Sequence, residues 1–494
     1  MCSSNPFTLK WHQDYITRGF GSLKNLYLNF AFHEKRAAIV EDGKLMELFI
    51  DNPFDSSGTG NIFFGKVVKV LPGLGAVFVD IGLSKNGYLE QGDMLSGRRE
   101  RLQNNEPLPE VLRVGETMLV QITKEGSSTK GPRLTELITL PGRHIVYMPG
   151  SGYMAVSKKI QPEETREALR MFGECLLQGS EGLILRTECQ TAAKSVIKEE
   201  LEGLRKKWEG IQKSLTDVPS LVYTDATLLE ELLRNRVLNE VDRIETDELE
   251  SFKNLERNPE FSGKVFMYDG KENMFSKYGI EKQIKKALQP VAWLKSGGNI
   301  VVQETEAMTV IDVNTGKNSS RINREKAVLK TNDEAAAEIA RQLKLRNISG
   351  IVMIDFLKMD QEEEKESLLS SFTKALEKDR TRTSILGFTS LGLLEMTRKK
   401  TSLPLKDRLA ENCPACGGTG FVTSTETLAY RMERKLWEHR NENKKLNIKV
   451  SPSLFHYLHK TNRIQELEVM LNIKLELTVD EGLLKEGFRI EDFK

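Results

Sequence analysis

The sequence predicts a multidomain chain that mixes α/β and α+β architecture, with one small β-barrel and one α/β unit that carries paired acids. Three observations support this. Two short runs rich in Val and Ile, AMTVIDVN (307–314) and GIVMIDFL (350–357), each lead into an acid, Asp312 and Asp355, and they flank a helix-patterned segment. Residues 58–135 are punctuated by glycine and alternate apolar with polar residues over short runs, which is the pattern of a small barrel. The length of 494 residues exceeds what one hydrophobic core sustains and suggests three or more domains.

Charge is balanced, with 72 basic and 71 acidic residues and a net charge of +1. Any nucleic-acid surface must therefore be local. Thr397-Arg398-Lys399-Lys400 and the stretch Lys124 to Arg133, which contains Lys130, are candidate patches. Either reads equally well as a solvated face. No run of about 18 apolar residues exists, so no membrane span is expected. The first 20 residues lack a basic-then-apolar pattern and do not read as a signal peptide. Of five cysteines, Cys2, Cys175 and Cys189 are scattered, which argues against a disulfide framework and for a reducing, cytoplasmic compartment.

Residues 24–51 read as two or three strands, with Glu41-Asp42-Gly43 as a hairpin turn. In the barrel segment GAVFVDIG, alternation places Val77, Val79 and Ile81 on the lining face and Phe78 outward beside Asp80. An outward aromatic on a small barrel can stack an unpaired base, worth about 1–3 kcal/mol. Phe63 or Phe64 and Tyr88 extend that platform, or else pack in the core. Lys66, Lys69, Lys85 and Lys124 supply charge for phosphates. Residues 136–230 mix strands (HIVYMP, GLILRT) with helices at 161–177 and 193–215, and a helical stretch follows to about 290.

The paired acids lie in the next unit. The segment from Asn332 to Arg346 reads as a helix stopped by Asn347 and Gly350. Strand, crossover helix and strand give two parallel strands with right-handed connection. Both carboxylates then sit at the carboxyl end of one sheet, where α/β proteins bind ligands. Asn314 lies two residues beyond Asp312 and shares its face. Two carboxylates and an amide oxygen suit a hard divalent cation such as Mg²⁺. The plainer reading is that each Asp is a turn former or helix cap.

Cys413-Pro414-Ala415-Cys416-Gly417-Gly418 has the spacing of a metal knuckle. Structural zinc takes four ligands, and this segment offers two. Two chains sharing one Zn²⁺ is one solution; a redox pair or an inert loop are the others. A thioredoxin-like use expects the motif at a strand-to-helix junction, whereas this one follows a basic, Pro-containing linker.

These motifs together resemble the ribonuclease E/G family. The resemblance runs from about residue 24 to the C-terminus, through NIFFGKVVKVLPGLGAVFVDIG, NGYLE, KGPRLTELITLPGRHIVYMP, GLILRT, LKSGGNIVVQETEAMTVIDVNTGK, AAAEIARQLKLRNISGIVMIDFLKM, DRTRTSILGFTSLGLLEMTR and CPACGGTG. It implies an RNase H-like domain split between 1–57 (with an unassigned extension, 1–22) and 231–288, and an S1 (OB-type) barrel at 58–135. It further implies a 5′-sensor domain at 136–230, a DNase I-like α/β catalytic domain at 289–410, a zinc link at 411–420 and a small C-terminal domain at 421–494. The implied activity is an endoribonuclease that cuts single-stranded A/U-rich RNA to 5′-phosphate and 3′-hydroxyl ends, prefers 5′-monophosphorylated RNA, and serves rRNA processing and mRNA decay. Asp312 and Asp355 match the acids that hold catalytic Mg²⁺, Asn314 the supporting amide, and Arg382 an arginine near the scissile RNA. Gly142, Val146, Arg186 and Thr187 match a 5′-monophosphate pocket. Lys158 stands in a segment where the family pattern has an arginine, and lysine lacks the bidentate fork. Phe78, Tyr88, Lys124 and Lys130 are the expected RNA contacts of the barrel. Cys413 and Cys416 imply a homodimer clipped by shared zinc, with pairing into tetramers left open.

Two other classes compete. A non-catalytic RNA-binding factor, such as one aiding ribosome assembly, needs the barrel but not the acids. A phosphoesterase for small molecules needs the acids but leaves the barrel idle.

Overall fold

A computed structural model of the protein describes residues 23–51, 58–95, 100, 108–126, 130–215, 217–225, 227–316, 324–440, 445–483 and 487–492. The extension 1–22, with Cys2, lies outside the described residues. The chain forms two compact units, Met1–Arg408 and Leu409–Lys494.

Among the described residues the first unit holds four sheets. Strands β1 (Lys24–Asn29), β2 (Lys35–Glu41) and β3 (Lys44–Asp51) form an antiparallel meander. Asp42 and Gly43 turn it, both at positive φ, as Glu41-Asp42-Gly43 predicts. The barrel strands are β4 (Ile62–Leu71), β5 (Ala76–Asp80), β6 (Gly87–Glu90), β7 (Thr117–Lys124) and β8 (Arg133–Thr135). Pairing runs β4-β5-β6-β8-β7, and β7 returns to β4, so the five strands close. Val67, Val77, Val79, Leu89, Val120 and Leu134 fill the interior. Phe63 is 1% exposed and belongs to that core, so it is no stacking platform: its position on β4 faces the lining.

A four-stranded sheet follows, built from β9 (Leu140–Pro141), β10 (Ile145–Met148), β11 (Met154–Val156) and β12 (Gly182–Leu185). Helices Glu163–Glu174 and Lys194–Lys213 accompany it, somewhat shorter than expected, and Ile145, Leu183, Leu185, Ile197 and Leu201 share its core. Strand β13 (Ser220–Tyr223) then joins the barrel beside β4. The chain next returns to its first sheet. Strands β14 (Arg243–Thr246) and β15 (Val265–Met267) complete the order β15-β14-β1-β2-β3, with β1 parallel to β14. The barrel and the four-stranded sheet are thus an insertion within that first sheet's domain.

The last sheet of the unit contains β16 (Val291–Trp293), β17 (Asn299–Glu304), β18 (Met308–Asn314), β19 (Gly350–Asp355), β20 (Thr383–Phe388) and β21 (Leu394–Arg398), in the order β16-β17-β18-β19-β21-β20. Only β18 and β19 are parallel neighbours here. Helices Arg324–Leu345 and Glu362–Leu376 cover one face through Ala336, Ile339, Leu343, Leu368 and Phe372, against Ile311, Val313, Val352 and Ile354. The crossover helix starts earlier than Asn332. Asn332 sits in mid-helix and is 1% exposed, because its amide serves a tertiary contact rather than a cap. The stop is as read: Asn347 and Gly350 take positive φ. Arg398 is withdrawn from the candidate patch at 397–400. It is buried, its guanidinium bonded to Asp379 at 2.7 Å and to the Asn347 amide and Ile348 carbonyl at 3.0 and 2.9 Å. Lys399 and Lys400 are exposed.

The second unit packs helices Thr425–Leu436, Pro452–Lys460 and Arg463–Leu471 with β22 (Lys445–Val450), β23 (Lys474–Val479) and β24 (Phe488–Asp492). Its sheet order is β23-β22-β24, with β22 and β23 parallel. Leu428, Met432, Leu446, Ile448, Leu454 and Leu458 form its core. No described helix is long and apolar enough to cross a membrane.

Candidate active site and RNA-facing surfaces

Strand β18 alternates strictly: Thr309, Ile311 and Val313 are buried, while Asp312 is exposed. In β19, Val352 and Ile354 are buried and Asp355 is exposed. The register pairs Asp312 directly with Asp355. Partners on adjacent strands lie about 4.8 Å apart in the ladder direction, so the two carboxylates project side by side from one open face. Asn314 donates its amide N–H to Asp312 Oδ2 at 2.8 Å. That bond orients the carboxylate and leaves the amide oxygen of Asn314 as an acceptor.

Three buttresses hold this edge. The buried Asn332 amide donates to the Leu357 carbonyl at 2.9 Å and accepts from Leu357 N at 3.0 Å, which fixes the chain just past Asp355. The turn at 294–298 closes with Leu294 N donating to Gly298 O at 2.8 Å, and Ser296 N donates to Glu334 Oε2 on the crossover helix at 2.8 Å. Gly298 touches the end of β18 so closely that a Cβ there would stand 2.5 Å from the Asn314 carbonyl oxygen. Trp293, missed by sequence reasoning, lies in the same row: it pairs with Asn299, which pairs with Asn314. It is 72% exposed, whereas its neighbour Ala292 packs on the core face.

Arg382 is not brought to the acids. It precedes Thr383, which pairs with Arg398, which in turn pairs with Gly350 at the start of β19. Asp355 is at the other end of that strand, on the order of 20 Å along the sheet. The donor set at Asp312, Asn314 and Asp355 is all oxygen, as a hard cation prefers. Among the described residues no three His, Cys, Asp or Glu side chains gather to cage a metal. Two carboxylates nevertheless fit Mg²⁺, which keeps several waters and takes phosphate oxygens as further ligands.

On the barrel, cross-strand pairing lines up Lys69, Phe78, Tyr88, Arg133 and Lys124 as one row over five strands. The Phe78 and Tyr88 rings meet edge to face with centroids 5.8 Å apart. Lys69, Lys124, Arg133 and Lys130 are exposed. Asp93 and Glu90 bind Arg133 and hold its guanidinium above its ordinary range, the Asp93 hydrogen bond being the largest cause. Bases flanked by aromatic rings, with cations for phosphates, are what unpaired RNA requires.

The four-stranded sheet brings another group together. Arg186 Nη1 donates to the Gly142 carbonyl at 2.8 Å. The Thr187 and Ser157 hydroxyls lie 3.1 Å apart, and Lys158 follows Ser157. Val146 is half-buried on β10. In the second unit, Cys416 Sγ accepts from Gly420 N at 3.4 Å. Backbone N–H groups of Gly420 and then Gly418, with the Cys413 thiol, lower the Cys416 thiol below its usual range. No described strand leads into this loop. The buried Cys189 thiol is instead pushed up to about 12 by desolvation.

Comparison with known proteins agrees with the motifs. A family model described as "Ribonuclease E/G family" matches residues 139–401, and one described as "RNase E/G, Thioredoxin-like domain" matches residues 412–493. Ribonuclease G of Haemophilus influenzae is 35% identical over 485 residues, covering 94% of this chain and 98% of that protein. Ribonuclease G of Escherichia coli K12 is 33% identical over 482 residues, covering 94% and 99%. Ribonuclease E of Synechocystis is 36% identical over 398 residues, covering 78% of this chain and 58% of that one.

Proposed function

The chain belongs to the ribonuclease E/G family, and from that premise we propose that it is an endoribonuclease acting in RNA processing, dependent on Mg²⁺ and selective for single-stranded A/U-rich RNA. The observation that carries the metal reading is the register pairing of Asp312 with Asp355 on an open sheet face. These two carboxylates would hold the ion, and Asn314 keeps Asp312 in place. When bound, the ion supplies charge stabilisation at the scissile phosphate and a water of lowered pKa. Products would carry 5′-phosphate and 3′-hydroxyl ends.

The chain's own groups do the rest. Phe78 and Tyr88 stack unpaired bases, which a duplex does not offer, so the barrel selects single strands. Lys69, Lys124 and Lys130 pair with backbone phosphates. Arg186 and Thr187 grip a 5′-monophosphate by charge-assisted hydrogen bonds, with Lys158 adding charge. Arg382 contacts RNA running along the sheet rather than the cut itself. The sheet β15-β14-β1-β2-β3 is read as the RNase H-like domain, and β16 to β21 as the DNase I-like domain. Cys413 and Cys416 supply half of a four-thiolate zinc site, so two chains share one Zn²⁺ and form a homodimer. The substrates would be rRNA precursors and mRNA in the cytoplasm.

The test is a labelled 5′-monophosphorylated single-stranded oligonucleotide incubated with purified protein, with Mg²⁺ or with chelator. Cleavage with Mg²⁺ and none with chelator supports the reading. Binding without cleavage under any divalent ion favours the non-catalytic RNA-binding factor. Zinc analysis should return one ion per two chains; one ion per chain contradicts the shared site.

A further inference from the structure

We propose that Glu200, on helix Lys194–Lys213, is a positioning residue for recognition of a 5′-monophosphate, acting through the turn Gly142–His144. The proposal rests on the reading that Arg186 and Thr187 bind that phosphate. Arg186 is tied to the turn twice. Its guanidinium donates to the Gly142 carbonyl at 2.8 Å, and its backbone N–H donates to the His144 carbonyl at 2.7 Å. The Cys189 thiol donates to that same His144 carbonyl at 3.1 Å. The turn has its own holder. The Glu200 carboxylate accepts from the backbone N–H of Arg143 and from that of His144 at 3.0 Å, and lies 2.8 Å from His144 Nδ1. One carboxylate therefore sets the turn, and the turn sets both ends of Arg186.

The packing shows how closely the parts are matched. A Cβ on Gly142 would stand 2.1 Å from Glu200 Oε1 and 2.8 Å from its carboxyl carbon. The carboxylate occupies the space that a side chain at 142 would need. Both Glu200 and His144 side chains are largely shielded, at 18% and 14% exposure, so water is a poor substitute for the lost acceptor. Ionised Glu only accepts hydrogen bonds, whereas Gln turns one of its two positions into a donor. Gln at 200 would therefore set a donor against a turn that presents donors. The helix itself stays docked through Ile197, Leu201 and Leu204, so the perturbation is local.

The experiment measures kcat and KM on one RNA sequence bearing either 5′-monophosphate or 5′-hydroxyl, for the full chain and for Glu200→Gln, Glu200→Asp and Arg186→Ala. Thermal melts confirm folding. Expected for Glu200→Gln is a fall of about tenfold in the monophosphate-to-hydroxyl ratio of kcat/KM, the cost of misdirecting a charge-assisted hydrogen bond. The fall should come mainly from a raised KM on the monophosphate substrate. Glu200→Asp, which keeps two acceptors, should retain more of the ratio. If Arg186→Ala collapses the ratio and Glu200→Gln leaves it intact, the positioning role is overturned and the phosphate pocket stands. Equal losses on both substrates also overturn it, since that is what general destabilisation produces. A ratio that survives Arg186→Ala removes the pocket reading, and this proposal with it.

Discussion

Asn332→Leu is the most informative single substitution outside the acids. Leu shares the branched heavy-atom shape of Asn and is somewhat larger, so the change removes two hydrogen bonds without opening a cavity. The Leu357 carbonyl loses a donor at 2.9 Å and the Leu357 N–H loses an acceptor at 3.0 Å. An unsatisfied buried polar group costs about 1–3 kcal/mol. Leu357 is only half-buried, so water recovers part of that, and about 2–4 kcal/mol for the pair is expected. The functional effect follows from position, because Leu357 lies two residues after Asp355. A shift of about 1 Å in a positioned group can cost on the order of 100-fold in rate. Urea unfolding should show a lowered midpoint, and single-turnover cleavage a lower rate with RNA affinity kept. A variant within about 0.5 kcal/mol of the parent that cleaves at full rate would refute the claim that this amide holds the acid-bearing edge.

Other outcomes follow from the same geometry. Phe78→Ala and Tyr88→Ala should each weaken single-stranded RNA binding by about 1–3 kcal/mol in fluorescence anisotropy, and unchanged affinity in both would remove the stacking role. Trp293 fluorescence should be quenched on RNA binding, and Trp293→Ala should abolish that signal; no RNA-dependent change would place the substrate away from β16. For metal-free protein, Cys416 has a lowered thiol pKa and Cys189 a raised one. As pH rises, Cys416 should become a reactive thiolate below the ordinary thiol range, and Cys189 only far above it. Mass-spectrometric mapping of iodoacetamide labelling checks this order, and early labelling of Cys189 would contradict it.

Much of the acid-bearing site was legible because its signals are local. Two Val- and Ile-rich runs around a helix pattern imply parallel strands, and the two-residue period puts Asp312 and Asn314 on one face. The barrel lining at Val77, Val79 and Ile81 is legible for the same reason. What escaped depends on pairing between distant segments. Asn332 reads as the start of the crossover helix, which in fact begins at Arg324, and nothing local reveals that its amide serves Leu357. Arg398 sits in a charge run but is consumed by Asp379. Phe63 and Phe64 are adjacent, so only the strand's placement decides which one is lining. Trp293 lies in a three-residue strand, too short to show a period. The row Lys69, Phe78, Tyr88, Arg133 and Lys124 exists only once the barrel register is set. Arg382 shows the opposite case: a family match gives a residue's kinship, while the sheet register gives its distance from the acids.

On the proposed mechanism Asp312 and Asp355, paired on neighbouring strands, share one magnesium ion at the cut. The most direct measurement is cleavage of 5′-monophosphorylated single-stranded RNA by Asp312→Asn and Asp355→Asn, with RNA affinity measured in parallel. Each variant should lose cleavage by several orders of magnitude yet bind RNA nearly as the parent does. Normal cutting by either one would contradict the account.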